Sequence, residues 1–329
     1  MNGLRDSLEA HQVAIYFAAV VVAGVVGVLV PGAAMLEGTI NPALAVMLFV
    51  TFLQVPLADL GRALVRVRFV AALLGANFVV VPGLVLGLVQ FLPPDPMIRL
   101  GVLIVLLAPC IDYVVTFSHI GRADARLLLA STPALLLLQM LLLPLYLGLF
   151  LGDAASGLVQ AGPFLHAFVW LIAGPLVLAG IVQGLAARST VLAKVSAGLG
   201  LLPVPATAVV LFVVIASVTP QLGLALDGAL RALPLYVAYA VIAPLLGWGV
   251  ARLAGLDAPA GRAVAFSAGT RNALVVLPLA FAVPGAVPVL PAVIVMQTLV
   301  ELVASLAYMR LIPMLGSRDR TPVTASGTR

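Results

Sequence analysis

Long apolar segments separated by short loops dominate this chain and restrict it to one kind of fold. Each is about as long as the roughly 20 residues that a helix needs to cross a bilayer core. Charged residues make up 9% of the chain, against roughly 25% in soluble domains, so we exclude a soluble fold. The segments are also too long for barrel strands, which predicts an all-α polytopic membrane protein. The ten segments cover approximately residues 12–30, 41–58, 68–91, 99–118, 125–151, 163–186, 198–219, 230–251, 260–283 and 288–312.

Basic residues are concentrated in every second loop. With a cytoplasmic N-terminus, 14 of the 17 lysines and arginines lie in cytoplasmic stretches, Arg99 and Arg231 lie in external loops, and Arg271 lies within a segment. This bias predicts ten spans in the cell inner membrane, an uncleaved first segment, and both termini in the cytoplasm. It also accounts for the net charge of +5 without nucleic acid. The predicted partners are the lipid bilayer and a small solute; a monomer and a homodimer both stay open.

A short motif recurs about half a chain apart. Pro133-Ala-Leu-Leu-Leu-Leu-Gln139 resembles Pro291-Ala-Val-Ile-Val-Met-Gln297 at an offset of 158 residues. Because each half holds five spans, an odd number, the second half enters the membrane in the opposite direction, as in many secondary transporters. We therefore predict a first five-helix repeat in residues 1–156, a second, inverted repeat in 157–316, and a disordered cytoplasmic tail in 317–329.

Three ionised residues, Asp112, Arg271 and Glu301, lie deep within the apolar segments. A charge at membrane depth is costly and is usually functional. Segment four is interrupted at Pro109, which lacks a backbone donor, and segment nine at Gly269, which is followed by polar residues. Both segments are therefore predicted to be discontinuous helices.

The two interruptions occupy equivalent places in the two halves, because the offset carries Asp112 onto Thr270 and Tyr113 onto Arg271. Helices four and nine would then cross near the bilayer centre, and their exposed half-helix ends suit a polar solute or an ion. The predicted substrate-binding residues are Cys110, Asp112, Thr270, Arg271 and Asn272, with polar support from Gln54, Asn77, Gln297 and Glu301.

Each of these residues also has a purely structural interpretation. Asp112 and Arg271 could simply neutralise each other, and Cys110 could be a small core residue. Glu301 follows Gln297 by four residues on one helical face, and it could be a proton or cation site or a hydrogen-bonded structural acid. Polar side chains within spans are more often interhelical hydrogen-bond formers than ligands.

Other chemistries lack their motifs. The only lysine, Lys194, follows Ala193, so the chain has no GxxxxGK phosphate loop for ATP. HExxH, CxxC and GxSxG patterns are absent from the sequence, and its single cysteine excludes a multi-thiol metal site. We predict neither a metal site nor a cofactor, and no enzymatic activity.

At these residues the sequence resembles the bile acid:sodium symporter superfamily, and within it the arsenite efflux permeases. Ala108-Pro-Cys110 followed by Phe117-Ser-His-Ile-Gly-Arg-Ala-Asp124 is similar to the span-four motif of those permeases, and Gly269-Thr-Arg-Asn272 is similar to their span-nine break. The resemblance implies an antiporter-type permease for arsenite or antimonite, conferring arsenical resistance, in which Cys110 engages the trivalent metalloid.

One departure from that pattern concerns coupling. The resemblance implies an acid just after the span-nine break, which serves sodium binding in the symporters, yet that place falls on Leu274 here, with Arg271 nearby. We hypothesise that the guanidinium takes the place of a coupling cation, leaving proton exchange through Asp112 or Glu301. Sodium coupling remains the alternative.

The sequence thus predicts a secondary transporter in which spans one, two, six and seven form a panel. Spans four, five, nine and ten form the core that moves against it. A second hypothesis keeps this fold but makes the cargo a small organic anion held by Arg271. A third is a membrane sensor or enzyme, although the short loops and the lack of a soluble domain disfavour it.

Overall fold

The computed structural model describes residues 2–54, 66–111, 113–151, 166, 169–281, 283–286 and 288–316. Within these ranges every regular element is a helix, so the predicted all-α fold is confirmed for them. The helices in chain order are α1 Asn2–Leu29, α2 Glu37–Phe52, α3 Val67–Val89, α4 Pro96–Leu106, α5 Tyr113–Ile120, α6 Ala125–Leu151, α7 Gly174–Ala186, α8 Thr190–Leu199, α9 Pro203–Val218, α10 Leu222–Leu253, α11 Ala258–Gly269, α12 Ala273–Phe281 and α13 Val289–Leu311.

Six helical stretches are long and apolar enough to cross a membrane, and a seventh is obtained if the bent pair α8 and α9 forms one span. The chain is therefore a multi-pass membrane protein. Helices α4 and α7 are apolar but shorter. The count of ten spans and the repeat boundaries stay predictions, and the tail at 317–329 lies outside the described residues.

Several helix ends differ from the hydropathy boundaries. α10 begins at Leu222, before the predicted 230, and its first turns include an ion pair of 2.7 Å between Asp227 and Arg231, four residues apart. α9 begins later than predicted, at Pro203, after a bend of 42° from α8. Proline is favoured in the first turn of a helix, because the N–H groups there have no intrahelical acceptor and its missing N–H costs no hydrogen bond.

The helices pack as two groups. α1 and α2 pack chiefly against α9, and α7 packs against α2 and α8; we call these five helices the panel. α10 packs against α11 and α13, and α13 packs against α4 and α12; together with α3, α5 and α6 these form the core. The grouping follows the division expected from the sequence. Contacts between the groups are sparser, as between α2 and α12.

Candidate functional site

Two helix breaks meet inside the core. α4 ends at Leu106 and α11 ends at Gly269, and the residues that follow them run antiparallel through a bridge between Pro109 and Arg271. The Cys110 N–H donates to the Thr270 carbonyl (3.2 Å), and the Asn272 N–H donates to the Ala108 carbonyl (2.8 Å). This short ribbon gives the broken backbone the hydrogen-bond partners that lipid cannot supply. We call it the crossing ribbon.

The two breaks differ in length. α5 begins at Tyr113 and α12 begins at Ala273, so consecutive helices are further apart in sequence at the first break than at the second. Pro109 lacks an N–H, which interrupts the first helix, and Thr270 is extended in the second break (φ −113°, ψ 137°). The 158-residue offset therefore matches the breaks only to within a few residues. Asp112 lies outside the described residues, and its predicted pairing with Arg271 stays a prediction.

The Arg271 guanidinium is enclosed by oxygen atoms. Its side chain has 0% exposure, and it donates to Asn77 Oδ1 (2.7 Å) and to the carbonyls of Ser267 (2.5 Å), Ala268 (2.9 Å) and Leu106 (3.4 Å). These carbonyls belong to the last turns of α11 and α4, where the helix dipole is negative. We call the four acceptors the oxygen cage.

Asn77 is aimed into the cage by an irregularity in α3. Residues Ala76–Val80 form a π turn, a feature often found at functional positions. The Asn77 Nδ2 donates to the Leu73 carbonyl (3.0 Å) and to Ser267 Oγ (2.9 Å) while its Oδ1 accepts from the guanidinium. Its side chain therefore forms the interhelical hydrogen bonds expected of polar residues within spans.

Glu301 is the buried acid on the other side of the crossing. Its carboxylate, 2% exposed, accepts from the Tyr113 hydroxyl (2.6 Å), the Arg271 backbone N–H (2.7 Å) and Gln297 Nε2 (2.6 Å). Tyr113 opens α5 and Arg271 lies just before α12, so the carboxylate sits where two half-helices begin and their dipoles favour an anion. A basic side chain thus faces the helix ends at the crossing, and an acidic side chain faces the helix starts.

Close backbone approach at the second break depends on Gly269. A Cβ there would lie 2.7 Å from Pro244 Cγ and 3.0 Å from the Tyr308 ring, both too close. The Tyr308 hydroxyl donates to the Ala240 carbonyl (2.5 Å), which fixes α13 against α10 beside the break.

The remaining predicted residues are placed in two locations. Cys110, Thr270 and Asn272 lie buried in the crossing ribbon; Asn272 Oδ1 accepts the Val275 N–H (3.2 Å), whereas its Nδ2 finds no partner among the described residues. Gln54 lies away from the ribbon, in the panel, where it donates to the Gly200 carbonyl (3.2 Å). Whether any of them binds cargo stays a prediction.

A polar cavity of about 120 Å³ separates the panel from the core and ends at the first break. Tyr16 of the panel faces Tyr113 of the core edge to face, with ring centroids 6.4 Å apart, and both line the cavity. Tyr113 therefore joins the cavity wall to Glu301. The other described lining residues are Glu9, Gln12, Thr51, Gln54, Ile111, Val115, Thr116, Leu129, Pro203, Val204 and Thr207.

The sequence predicted only Gln54 of this cavity. A signal was present, however, in the spacing of Glu9, Gln12 and Tyr16, which at i, i+3 and i+7 share one face of α1. Tyr113 was also missed as a functional residue, although it directly follows the predicted Asp112.

Comparison with known proteins gives a partial match. The model of the family described as "Sodium Bile acid symporter family" matches residues 41–225, which is more than half of the 329 residues. The match includes the first break and excludes the second break, Arg271 and Glu301. No curated protein matches the chain.

Proposed function

Because the chain belongs to the sodium bile acid symporter family, we propose that it carries a small polar solute across the membrane by alternating access at the crossing ribbon. Members of this family are membrane transporters. The observation that carries the proposal is the antiparallel pairing of two helix breaks beside a polar cavity. A sensor or an enzyme would not need this arrangement.

The proposed architecture is ten spans in two inverted repeats. Antiparallel pairing at Pro109 and Arg271 supports it, since spans four and nine must run in opposite directions if the halves are inverted. Each of the ten predicted segments also contains helix, with segments four and nine broken. With the proposed cytoplasmic N-terminus, the cavity beside Glu9 would lie on the cytoplasmic side of the crossing.

The oxygen cage supports a sodium-independent mechanism. Sodium is bound by carbonyl and amide oxygens of this kind, yet here the Arg271 guanidinium donates to all four of them. A sodium ion in the same place would meet a fixed positive charge. We therefore propose that Arg271 replaces a coupling cation and that protons, exchanged at Glu301 or Asp112, supply the driving force.

We propose that the transported solute is arsenite or antimonite and that the protein moves it out of the cell. The support is the position of Cys110 in the crossing ribbon, next to the cavity residue Ile111. The Cys110 thiol is buried and does not line the cavity in this conformation, so the transport cycle must expose it. An organic anion would need Arg271 as its counter-charge, and the oxygen cage already engages that guanidinium.

The proposal is tested by arsenite accumulation in cells that lack their own arsenite permeases. Wild-type protein should lower intracellular arsenite, and Cys110→Ser should return it to the level of the empty vector. Ser217→Ala is the matched control, because Ser217 is buried in α9 and donates to the nearby Val214 carbonyl (3.0 Å); it should transport like wild type.

Two results would separate the cargo from the transport function. If wild-type cells accumulate arsenite like the vector control, the cargo is wrong. The transporter assignment itself fails if two further results are obtained. Proteoliposomes with a pH gradient would move neither arsenite nor labelled organic anions, and the protein would convert a substrate to a product without any gradient, as an enzyme does.

A further inference from the structure

The cavity between panel and core holds buried polar atoms that nothing in the described chain satisfies. Gln12 is 2% and Thr51 is 6% exposed, and both line the cavity. Gln12 Nε2 and Thr51 Oγ1 lack a hydrogen-bond partner among the described residues. Buried polar groups are nearly always paired, so a pair of unpartnered groups along one cavity indicates a ligand that completes them.

The charge of the cavity restricts what that ligand can be. Glu9 is the one ionised residue among its described lining residues, and none of these is basic. The nearby cation Arg271 is enclosed in its oxygen cage and has 0% exposure. An anion entering the cavity would therefore lose water, gain no counter-charge and meet the Glu9 carboxylate, which disfavours it. Glu9 already has a partner within the protein, so its carboxylate does not require a cationic ligand.

The size of the cavity and the chemistry of its lining favour a small ligand that carries hydroxyl groups. A volume of about 120 Å³ suits a molecule of a few heavy atoms. The Gln12 amide nitrogen donates hydrogen bonds, and the Thr51 hydroxyl both donates and accepts them. A solute hydroxyl can accept from the amide and can either donate to or accept from the threonine. We propose, on the basis of the transport function above, that this cavity binds a small uncharged polyhydroxylated solute through Gln12 and Thr51. Arsenous and antimonous acid, each with three hydroxyl groups, belong to this class.

The test uses proteoliposomes containing the full chain and measures entry of labelled arsenite. Gln12→Leu and Thr51→Val should each raise the half-saturating arsenite concentration about tenfold, as expected for one lost hydrogen bond. Thr51→Val should also raise the melting temperature, because an unpaired buried hydroxyl is replaced by a methyl of the same shape. A merely structural threonine would not show weaker transport together with higher stability.

The control variants are Gln90→Leu and Thr39→Val. Both residues are exposed, lie outside the cavity and donate to nearby backbone carbonyls, those of Leu86 and Leu36, so transport should stay within twofold of wild type. Competition identifies the charge class: glycerol should inhibit arsenite entry, whereas glycerate and methylammonium at equal concentration should not. Stronger inhibition by glycerate or by methylammonium, or wild-type kinetics in both cavity variants, overturns the inference.

If arsenite is not transported, the cargo proposal fails but the inference is still tested. Thermal unfolding of the purified protein is then followed with glycerol, glycerate and methylammonium. Glycerol should raise the melting temperature more in wild type than in the Gln12→Leu, Thr51→Val double variant. Equal shifts in the two proteins would show only a general solvent effect, and the inference would be wrong.

Discussion

Replacing Arg271 by alanine tests the oxygen cage directly. The substitution leaves four buried oxygens without their common donor, while Glu301 keeps its hydrogen bond from the backbone N–H of residue 271. Each buried acceptor left unpaired costs about 1–3 kcal/mol, so we expect a total loss of a few kcal/mol. At a few degrees per kcal/mol, we expect the melting temperature in detergent to fall on the order of 10 °C when choline is the only added cation.

Sodium should then become a ligand of the variant. With the guanidinium gone, Asn77 Oδ1 and the carbonyls of Leu106, Ser267 and Ala268 face a space where a monovalent cation can bind. A ligand present at a hundred times its Kd stabilises the folded state by about 2.7 kcal/mol. We therefore expect sodium chloride to restore much of the lost stability of Arg271→Ala and choline chloride to restore none.

Thermal unfolding of wild type, Arg271→Ala and Arg262→Ala in sodium or choline buffer completes the experiment. Arg262 is the matched control, because it also donates to two backbone carbonyls, those of Leu315 (2.9 Å) and Arg122 (3.2 Å), but lies at the start of α11, outside the cage. Arg262→Ala should show no preference for sodium. The reasoning is refuted if wild type is itself stabilised by sodium over choline, or if Arg271→Ala responds equally to both salts.

Three further substitutions examine the surroundings of the crossing ribbon. Gly269→Ala should destabilise the protein by about 1–3 kcal/mol, because the added methyl would press against Pro244 and the Tyr308 ring. Gly87→Ala, where a Cβ meets nothing within 4 Å, should be neutral or slightly stabilising in the same unfolding assay. Tyr113→Phe should slow arsenite entry several-fold and cost about 1–3 kcal/mol, because Glu301 loses a donor; unchanged stability would contradict the hydrogen bond. Glu301→Gln should abolish acceleration of transport by a pH gradient, and a variant still accelerated would assign proton exchange elsewhere.

The breaks could be predicted from sequence because they rest on local chemistry. Pro109 removes a donor and Gly269 is surrounded by competing polar side chains, and neither effect depends on the rest of the fold. The partners of Arg271 could not be predicted, because three of the four acceptors are backbone carbonyls, which every residue possesses. Only the ends of two helices, brought together in space, make those carbonyls distinctive.

The residues that line the cavity could not be predicted from the sequence for a different reason. Gln12 begins the first apolar segment, where interfacial side chains are common, and Thr51 is a single hydroxyl within the second, so their position in sequence gave no reason to select them. Their significance comes from burial without a partner, which depends on how α1, α2 and α9 pack.

The π turn in α3 fixes the register of the whole helix. Before it, Phe69 and Leu73 face the core, and after it Val85 and Val89 do so again, because a π turn accommodates one residue more than an α turn. If the same residues wound as a regular α-helix, everything beyond the turn would rotate by about 100°. The apolar face of the second half would then point into lipid, and Asn77 would leave the guanidinium. The extra residue thus lets one helix keep an apolar face against the core along its whole length and also place one amide, that of Asn77, inside the core.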